Sequence, residues 1–419
     1  MSDSIRYIDL FAGAGGLSEG FIREGYKPIA HVEYDEAACF TLKTRIAYHW
    51  LLERNKLDKY KDYLNGKITR DELYSFIPNH VINSVINTEI KDESLPSIFK
   101  KIDNVLGNEG LDLIVGGPPC QAYSLVGRAR DKNGMKGDPR NYLFIQYAKF
   151  LKKYKPKFFV FENVIGLLSA KDSDGQYYLD LMKQEFRKVG YEIEYKVISA
   201  KNFGVLQDRK RVLIVGKKGK GKNFFPIMEE TPSKWKVREA LYGLPKISAG
   251  EGSLGAIKSK MGEYHYLTES NILNRNVPVT LHSARPHNDR DLEIYSIAAL
   301  KLKNEGQRLS YNDLPERLKT HKNRKSFLDR FKVVCGNSNY SHTVVAHIQK
   351  DGHHYIHPDV EQNRSLTPRE AARLQSFPDD YYFESISGKP ARTYAYRQIG
   401  NAVPVLMAEK IAKGLKKLF

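Results

Sequence analysis

Near its start the chain reads IRYIDLF (5–11), AGAGG (12–16) and LSEGFIREG (17–25). An apolar run, a glycine-rich break and an amphipathic stretch closed by Gly25 predict a strand, a tight turn and a short helix. That order opens a doubly wound α/β fold, in which glycines let backbone amides approach a ligand at a helix N-terminus. The next predicted strand, PIAHVE (28–33), ends in Glu33. A carboxylate there, about 20 residues past the glycines, is placed to accept both hydroxyls of a ribose. The combination favours an adenosine-containing cofactor over a plain tight turn. It does not separate a dinucleotide from S-adenosylmethionine.

Further along, LDLIVGGPPCQAYS (111–124) predicts a buried strand stopped by two glycines and two prolines, with Cys120 immediately after the stiff turn. A rigid loop at a strand end can aim a nucleophile. The thiolate is the reactive form, and its reference pKa of about 8.5 means that the site must favour ionisation. The segment 124–140 is polar and carries five basic side chains, which suits a lid closing on phosphates. KFFVFEN (157–163) predicts a strand that delivers Glu162 to the carboxyl edge of the sheet, where ligand crevices lie. After the alternating strand 191–200, QDRKR (207–211) puts Gln207, Arg209 and Arg211 on one face of an extended segment. Such a face is either an exposed edge or a bidentate clamp for a base carbonyl or a phosphate.

A chain of 419 residues is long enough for two or three domains. Its 67 basic against 49 acidic residues, a net charge of +18, point to a polyanion partner such as nucleic acid. Three scattered cysteines, Cys39, Cys120 and Cys335, form neither a disulfide framework nor a cysteine zinc site, which predicts a reducing cytosol. No apolar run approaches 18 residues and no signal peptide is visible, so no membrane association is expected.

Six segments, in order, resemble the DNA cytosine-5 methyltransferases of bacterial restriction–modification type. They are DLFAGAGGLSEGF (9–21), GGPPCQAYS (116–124), ENVIGL (162–167), QDRKR (207–211), RSLTPREAARLQSFPDDY (364–381) and YRQIGNAVPVLMAEKIA (396–412). The resemblance implies a Rossmann-like, S-adenosylmethionine-dependent methyltransferase fold with a smaller mixed domain for target recognition. It implies that Cys120 adds to carbon 6 of a flipped-out cytosine and that Glu162 binds ring nitrogen 3 and the exocyclic amine. Arg211 would hold the carbonyl oxygen, with Arg209 and Gln207 supporting the loop and a neighbouring phosphate. For the cofactor it implies Phe11 against the adenine and Ala12, Gly13, Gly15, Gly16 and Leu17 around the methionine part. Glu33 would bind the ribose, Glu89 and Ile90 the adenine edge, and Pro119, Asn401 and Ala402 would border the site. Glu89 stands where the family commonly has aspartate, and Ala402 where serine is frequent.

The expected division is a catalytic domain over 1–224, a target-recognition domain over 225–393 and a C-terminal segment over 394–419 that returns to pack beside the first strand. Residues 51–80 predict an extra helical pair, read as a solvated face. A weak strand is expected near 81–86. In the recognition region, Arg285, His287, Asn288, Asp289 and Arg290 form one polar cluster and KTHKNRKSF (319–327) is strongly basic. HIQKDGHHYIHP (347–358) predicts a β-hairpin rather than a metal site, since no cysteine accompanies its histidines. Thr367-Pro368-Arg369-Glu370 should start a helix, with Arg369 a scaffold contact by resemblance. The expected partner is duplex DNA, together with a restriction endonuclease acting at the same site. The chain is expected to act as a monomer in the bacterial cytosol, with no metal. An RNA cytosine-5 methyltransferase and a non-catalytic DNA-binding homologue are the alternatives. The length of the basic region and the absence of a Cys-Phe-Thr signature weigh against the first, and the presence of Cys120, Glu162 and Arg211 against the second.

Overall fold

The computed structural model describes residues 4–119, 138–325 and 328–419. Seven strands form the central sheet: β1 (Arg6–Leu10), β2 (Lys27–Glu33), β3 (Val85–Asn87), β4 (Leu113–Gly116), β5 (Phe158–Asn163), β6 (Tyr191–Ser199) and β7 (Lys210–Lys218). They lie in the order β3-β2-β1-β4-β5-β7-β6. The first five are parallel, and β7 runs antiparallel to both β5 and β6. Strand order reverses between β1 and β4, so a crevice opens at their carboxyl ends. The loops that begin at Phe11 and Gly117 meet there. Because β7 is an interior strand, the exposed-edge reading of 207–216 is overturned.

Helices cover both faces. On one, α6 (Leu95–Leu106), α7 (Leu143–Tyr154) and α8 (Tyr178–Lys188) bury Ile98, Ile102, Tyr147, Phe150 and Phe186 against Ile8, Ile114 and Phe159. On the other, α1 (Gly16–Arg23) and the C-terminal helix Val405–Lys416 pack with Tyr7, Leu113 and Val160. Two glycines, a helical turn apart, make that packing possible. A Cβ on Gly16 would lie 2.3 Å from the Val403 carbonyl, and one on Gly20 2.4 Å from the Glu409 amide. Gly20→Ala should therefore destabilise the protein, although alanine is the better helix former by about 1 kcal/mol. Overpacking of this kind costs about 1–3 kcal/mol, and a lowered urea midpoint with an unchanged slope would show it.

The segment 51–80 is not a solvated face. It follows α2 (Glu36–Glu53) as α3 (Leu57–Leu64), α4 (Arg70–Ser75) and α5 (Asn79–Ile82), and it buries Tyr60, Tyr63, Leu73 and Ile77 against Phe377, Tyr381, Tyr382 and Phe383. Tyr60 donates to the Asp380 carbonyl at 2.7 Å, Tyr63 to the Glu384 carboxylate, and Arg70 to the Ser385 carbonyl at 2.8 Å. Arg45, on α2, ties α1 to the same partner stretch, holding Glu19 with two nitrogens and Asp380 with the third. The insertion braces residues 380–386. The strand expected near 81–86 is the short helix α5 followed by β3, since Asn83 and Ser84 interrupt the apolar run.

Thr367 and Glu370 form a reciprocal capping box at the start of the helix Pro368–Leu374. Glu370 is also gripped by both terminal nitrogens of Arg364, and Arg373 forks onto Asp379. Arg369 is fully buried and donates to the carbonyls of Thr280, Pro378 and Tyr381, the scaffold contact expected of it. The expected hairpin at 347–358 does not form. Residues 346–349 make a 3-10 turn, and Ile356 bridges to Val333 and Ser365 instead of to a partner within the segment. Among the described residues no helix is long and apolar enough to cross a membrane.

Candidate active site

A crevice is built at the ends of β1 and β2. Phe11 adopts a left-handed backbone (φ 58°) that a side chain with a Cβ rarely takes, which turns the chain out of the sheet into the glycines. Gly13 (φ 54°) directs its amide to Glu33 Oε2 at 2.8 Å, and a Cβ built on Gly13 would meet nothing within 4 Å. Glu33 Oε1 accepts from the amides of Tyr34 and Asp35, both at 2.8 Å. Three donors thus fix the carboxylate in place. Burial pushes it up from the usual carboxylate range, against the pull of those amides.

One feature of this crevice was not singled out from sequence. Asp9, on β1, is buried and neither of its carboxylate oxygens has a hydrogen-bond partner. Burial, and then the Glu33 charge, hold it well above the usual carboxylate range. An uncompensated acid inside a strand is costly unless something cationic or donating comes to it. The clue was a charged residue within an otherwise apolar run. An open space beside a glycine, an amide-clamped carboxylate at the second strand and an orphaned buried acid suit a ligand that carries a ribose and an ammonium group.

The remaining expected cofactor residues divide by location. Ile90 is buried near the same edge, whereas the Glu89 carboxylate points to solvent beside Lys91. Leu17 faces the core against the C-terminal helix, so only its backbone can serve the crevice. Gly15, the residue capping α1, lies against Leu42 and Tyr381, and Gly16 brings the turn against Val403 and Ala402, while Asn401 is exposed. Pro119 is half-buried at the end of the described loop. Cys120 and the expected lid through Gly137 lie outside the described residues.

At the neighbouring strand ends, Glu162 of β5 faces Arg211 of β7. Arg211 Nε stands 2.6 Å from Glu162 Oε1, and both side chains are largely buried. The contact is an ion pair without hydrogen-bond alignment, so Oε1 retains its accepting capacity. A Cβ on Gly117 would lie 2.8 Å from Glu162 Oε2, so that glycine gives the carboxylate its room. Asn163, which the sequence reading gave no role, donates to the Pro118 carbonyl at 3.4 Å and accepts from the Val164 amide. It ties the end of β5 to the loop that leads to Cys120.

Gln207 and Arg209 turn into the protein. Both are fully buried. Arg209 donates to the carbonyls of Val344 (2.7 Å) and Gly400 (3.1 Å). Gln207 donates to the Leu374 carbonyl and Gln375 Oε1 and accepts from the Val344 amide. They knot the start of β7 to residues 344 and 374–375 and to the turn at 399–402, where Gln375 donates to the carbonyls of Ile399 and Ala402. Arg285 is likewise occupied, donating to the carbonyls of Ile348, Gln349 and Lys350.

The sequence matches the profile of the C-5 cytosine-specific DNA methylases over residues 5–77 and 72–417. The chain belongs to that family. It is a DNA cytosine-5 methyltransferase. Among its relatives, the type II methyltransferase M.Bpa9945I of Bacillus paralicheniformis is 42% identical, with 98% of each chain covered. The type II methyltransferase M1.HphI of Haemophilus parahaemolyticus is 32% identical over 99% of this chain and 87% of its own. A solved structure of a prophage-encoded E. coli chain, described as a DNA modification methyltransferase, shares the fold with a TM-score of 0.63 at 24% identity, covering 99% of both chains.

Proposed function

We propose that this methyltransferase modifies carbon 5 of a flipped-out cytosine within a specific duplex sequence, through a covalent adduct of Cys120 to carbon 6. The observation that carries the reading is the Glu162–Arg211 pair, largely buried at the carboxyl end of β5 with Gly117 against the carboxylate. Extruding the base costs a few kcal/mol and exposes its Watson–Crick edge. Glu162 would take ring nitrogen 3 and the exocyclic amine, supplying a proton as the thiolate adds. Arg211 would hold the carbonyl oxygen, where negative charge gathers. Addition of sulfur makes carbon 5 nucleophilic, and loss of the carbon-5 proton with expulsion of the thiolate completes the cycle.

When bound, S-adenosylmethionine supplies the electrophilic methyl group. Glu33 would accept its ribose hydroxyls through the capacity that its three amide donors leave, and Asp9 would take its ammonium. The turn Ala12–Leu17, with Phe11, Ile90, Pro119, Asn401 and Ala402, would enclose the rest. The solvent-facing Glu89 carboxylate makes its backbone the better candidate for the adenine edge. Residues 1–224 and 394–419 would form the catalytic part and 225–393 the recognition part. The names of the relatives support service in a type II restriction–modification system. In that service the enzyme would act as a monomer in the bacterial cytosol and protect host DNA from an endonuclease of the same specificity.

Purified protein with methyl-labelled cofactor and genomic duplex DNA should yield 5-methylcytosine as the only labelled nucleoside. Label on another base would overturn the reading. Glu33→Gln replaces a charge-assisted acceptor, each such bond being worth about 1.5–3 kcal/mol, and should weaken cofactor binding by roughly ten- to a hundredfold in a calorimetric titration.

A further inference from the structure

Beyond the start of β7 a line of cations runs outward from the Glu162–Arg211 pair over the first part of the recognition region. Residues 336–341 pass between two other segments through a turn at 336–337 and bends at 338–340. Ser341 bridges Gln207, the Asp208 amide donates to the Ser341 carbonyl, and the amides of Val237 and Arg238 donate to the carbonyls of Ser338 and Gly336. This path holds its cations in register. Arg238 donates to Asn337 Oδ1 at 3.0 Å, Lys236 to Asn339 Oδ1 at 2.5 Å, and the Lys201 ammonium sits 4.4 Å from the centre of the Tyr340 ring. Lys210, one residue before Arg211, is exposed and has no carboxylate within ion-pair reach among the described residues.

The chemistry of the holding groups is what matters. Lys201 also pairs with Asp208 at 3.1 Å, and Arg238 lies 3.6 Å from Glu239. Lys236 is held by a neutral amide oxygen alone, and Arg238 by one as its hydrogen-bonded partner. A carboxylate partner would cancel the charge, whereas asparagine fixes the side chain and leaves the charge available. Asn337, Asn339 and Tyr340 are themselves exposed, so the line opens to solvent. Donors held in place with charge left over, Lys236 wholly and Arg238 and Lys201 in part, are what a polyanionic backbone needs, because they spare the side-chain ordering that binding otherwise demands. The geometry points to Lys210, Lys201, Lys236 and Arg238 as a track for successive backbone phosphates of the DNA strand flanking the extruded cytosine. This rests on the reading that the protein binds duplex DNA at the Glu162–Arg211 edge. It assigns the track a positioning role that is independent of base sequence.

The test measures dissociation constants for a short mixed-sequence duplex over a range of salt concentrations, using full-length protein and K236Q/R238Q. Each phosphate contact contributes about 0.9 to the slope of log K against log salt, so the double variant should lose about two units of slope. A control, K152Q/K155Q, alters helix-end lysines at the opposite end of the sheet and should keep the wild-type slope. N339A, which releases Lys236 without removing its charge, should weaken binding while the slope stays. An unchanged slope in K236Q/R238Q, or an equal loss in the control, would overturn the track. A wild-type protein without measurable affinity for any duplex would instead overturn the reading on which the track rests.

Discussion

Cys120→Ser is expected to abolish methyl transfer, with a loss on the order of 10⁴-fold or more, while duplex binding changes little. Carbon 5 of cytosine does not take a methyl group until a nucleophile has added to carbon 6. A thiol with a reference pKa of about 8.5 supplies some thiolate at neutral pH and more when the site favours it, whereas a serine hydroxyl stays protonated there. The cysteine follows Gly116-Gly117-Pro118-Pro119 at the end of β4, and Pro118 is tied to Asn163 on the neighbouring strand. Labelled-methyl incorporation beside a duplex-binding measurement checks this. A serine variant that keeps a tenth of the activity would argue for another nucleophile.

Glu162→Gln should lower the rate of the chemical step by roughly 10²–10³-fold with little change in DNA affinity. Glutamine fills the same space but cannot deliver a proton to ring nitrogen 3, and it loses the charge that Arg211 faces at 2.6 Å. Gly117→Ala should act in the same direction without touching the carboxylate's chemistry, because its Cβ would come within 2.8 Å of Glu162 Oε2. Single-turnover methylation separates these effects from binding. Equal losses in affinity and rate would instead mean that Glu162 serves ground-state recognition.

The sheet was legible because its strands are short apolar runs that end in glycine, proline or an acid. Gly13, Gly15, Gly16, Glu33 and Glu162 could be located from those endings, whereas Phe11 and Ala12 were singled out by the resemblance. What alternation could not reveal was which polar groups turn inward. Gln207 and Arg209 alternate with Arg211 in sequence, yet β7 starts only at Lys210. The two residues ahead of it are therefore free to turn into the junction with 344 and 400, where backbone carbonyls and an amide need partners. The tyrosines of 57–77 resembled a solvated, lysine-rich face because their partners at 377–384 lie some 300 residues away in sequence. Arg285 read as part of a basic cluster, but three carbonyls at the end of a 3-10 turn consume it. Local pattern records periodicity, and these side chains are fixed by contacts that no local pattern contains.

The most direct test replaces cytosine by 5-fluorocytosine in duplex DNA and incubates it with the protein and S-adenosylmethionine. Fluorine at carbon 5 blocks the elimination, so the account predicts a denaturation-resistant protein–DNA complex that depends on the cofactor and is absent with Cys120→Ser. Methylation of ordinary duplex without any such complex on the fluorinated one would contradict a covalent Cys120 mechanism.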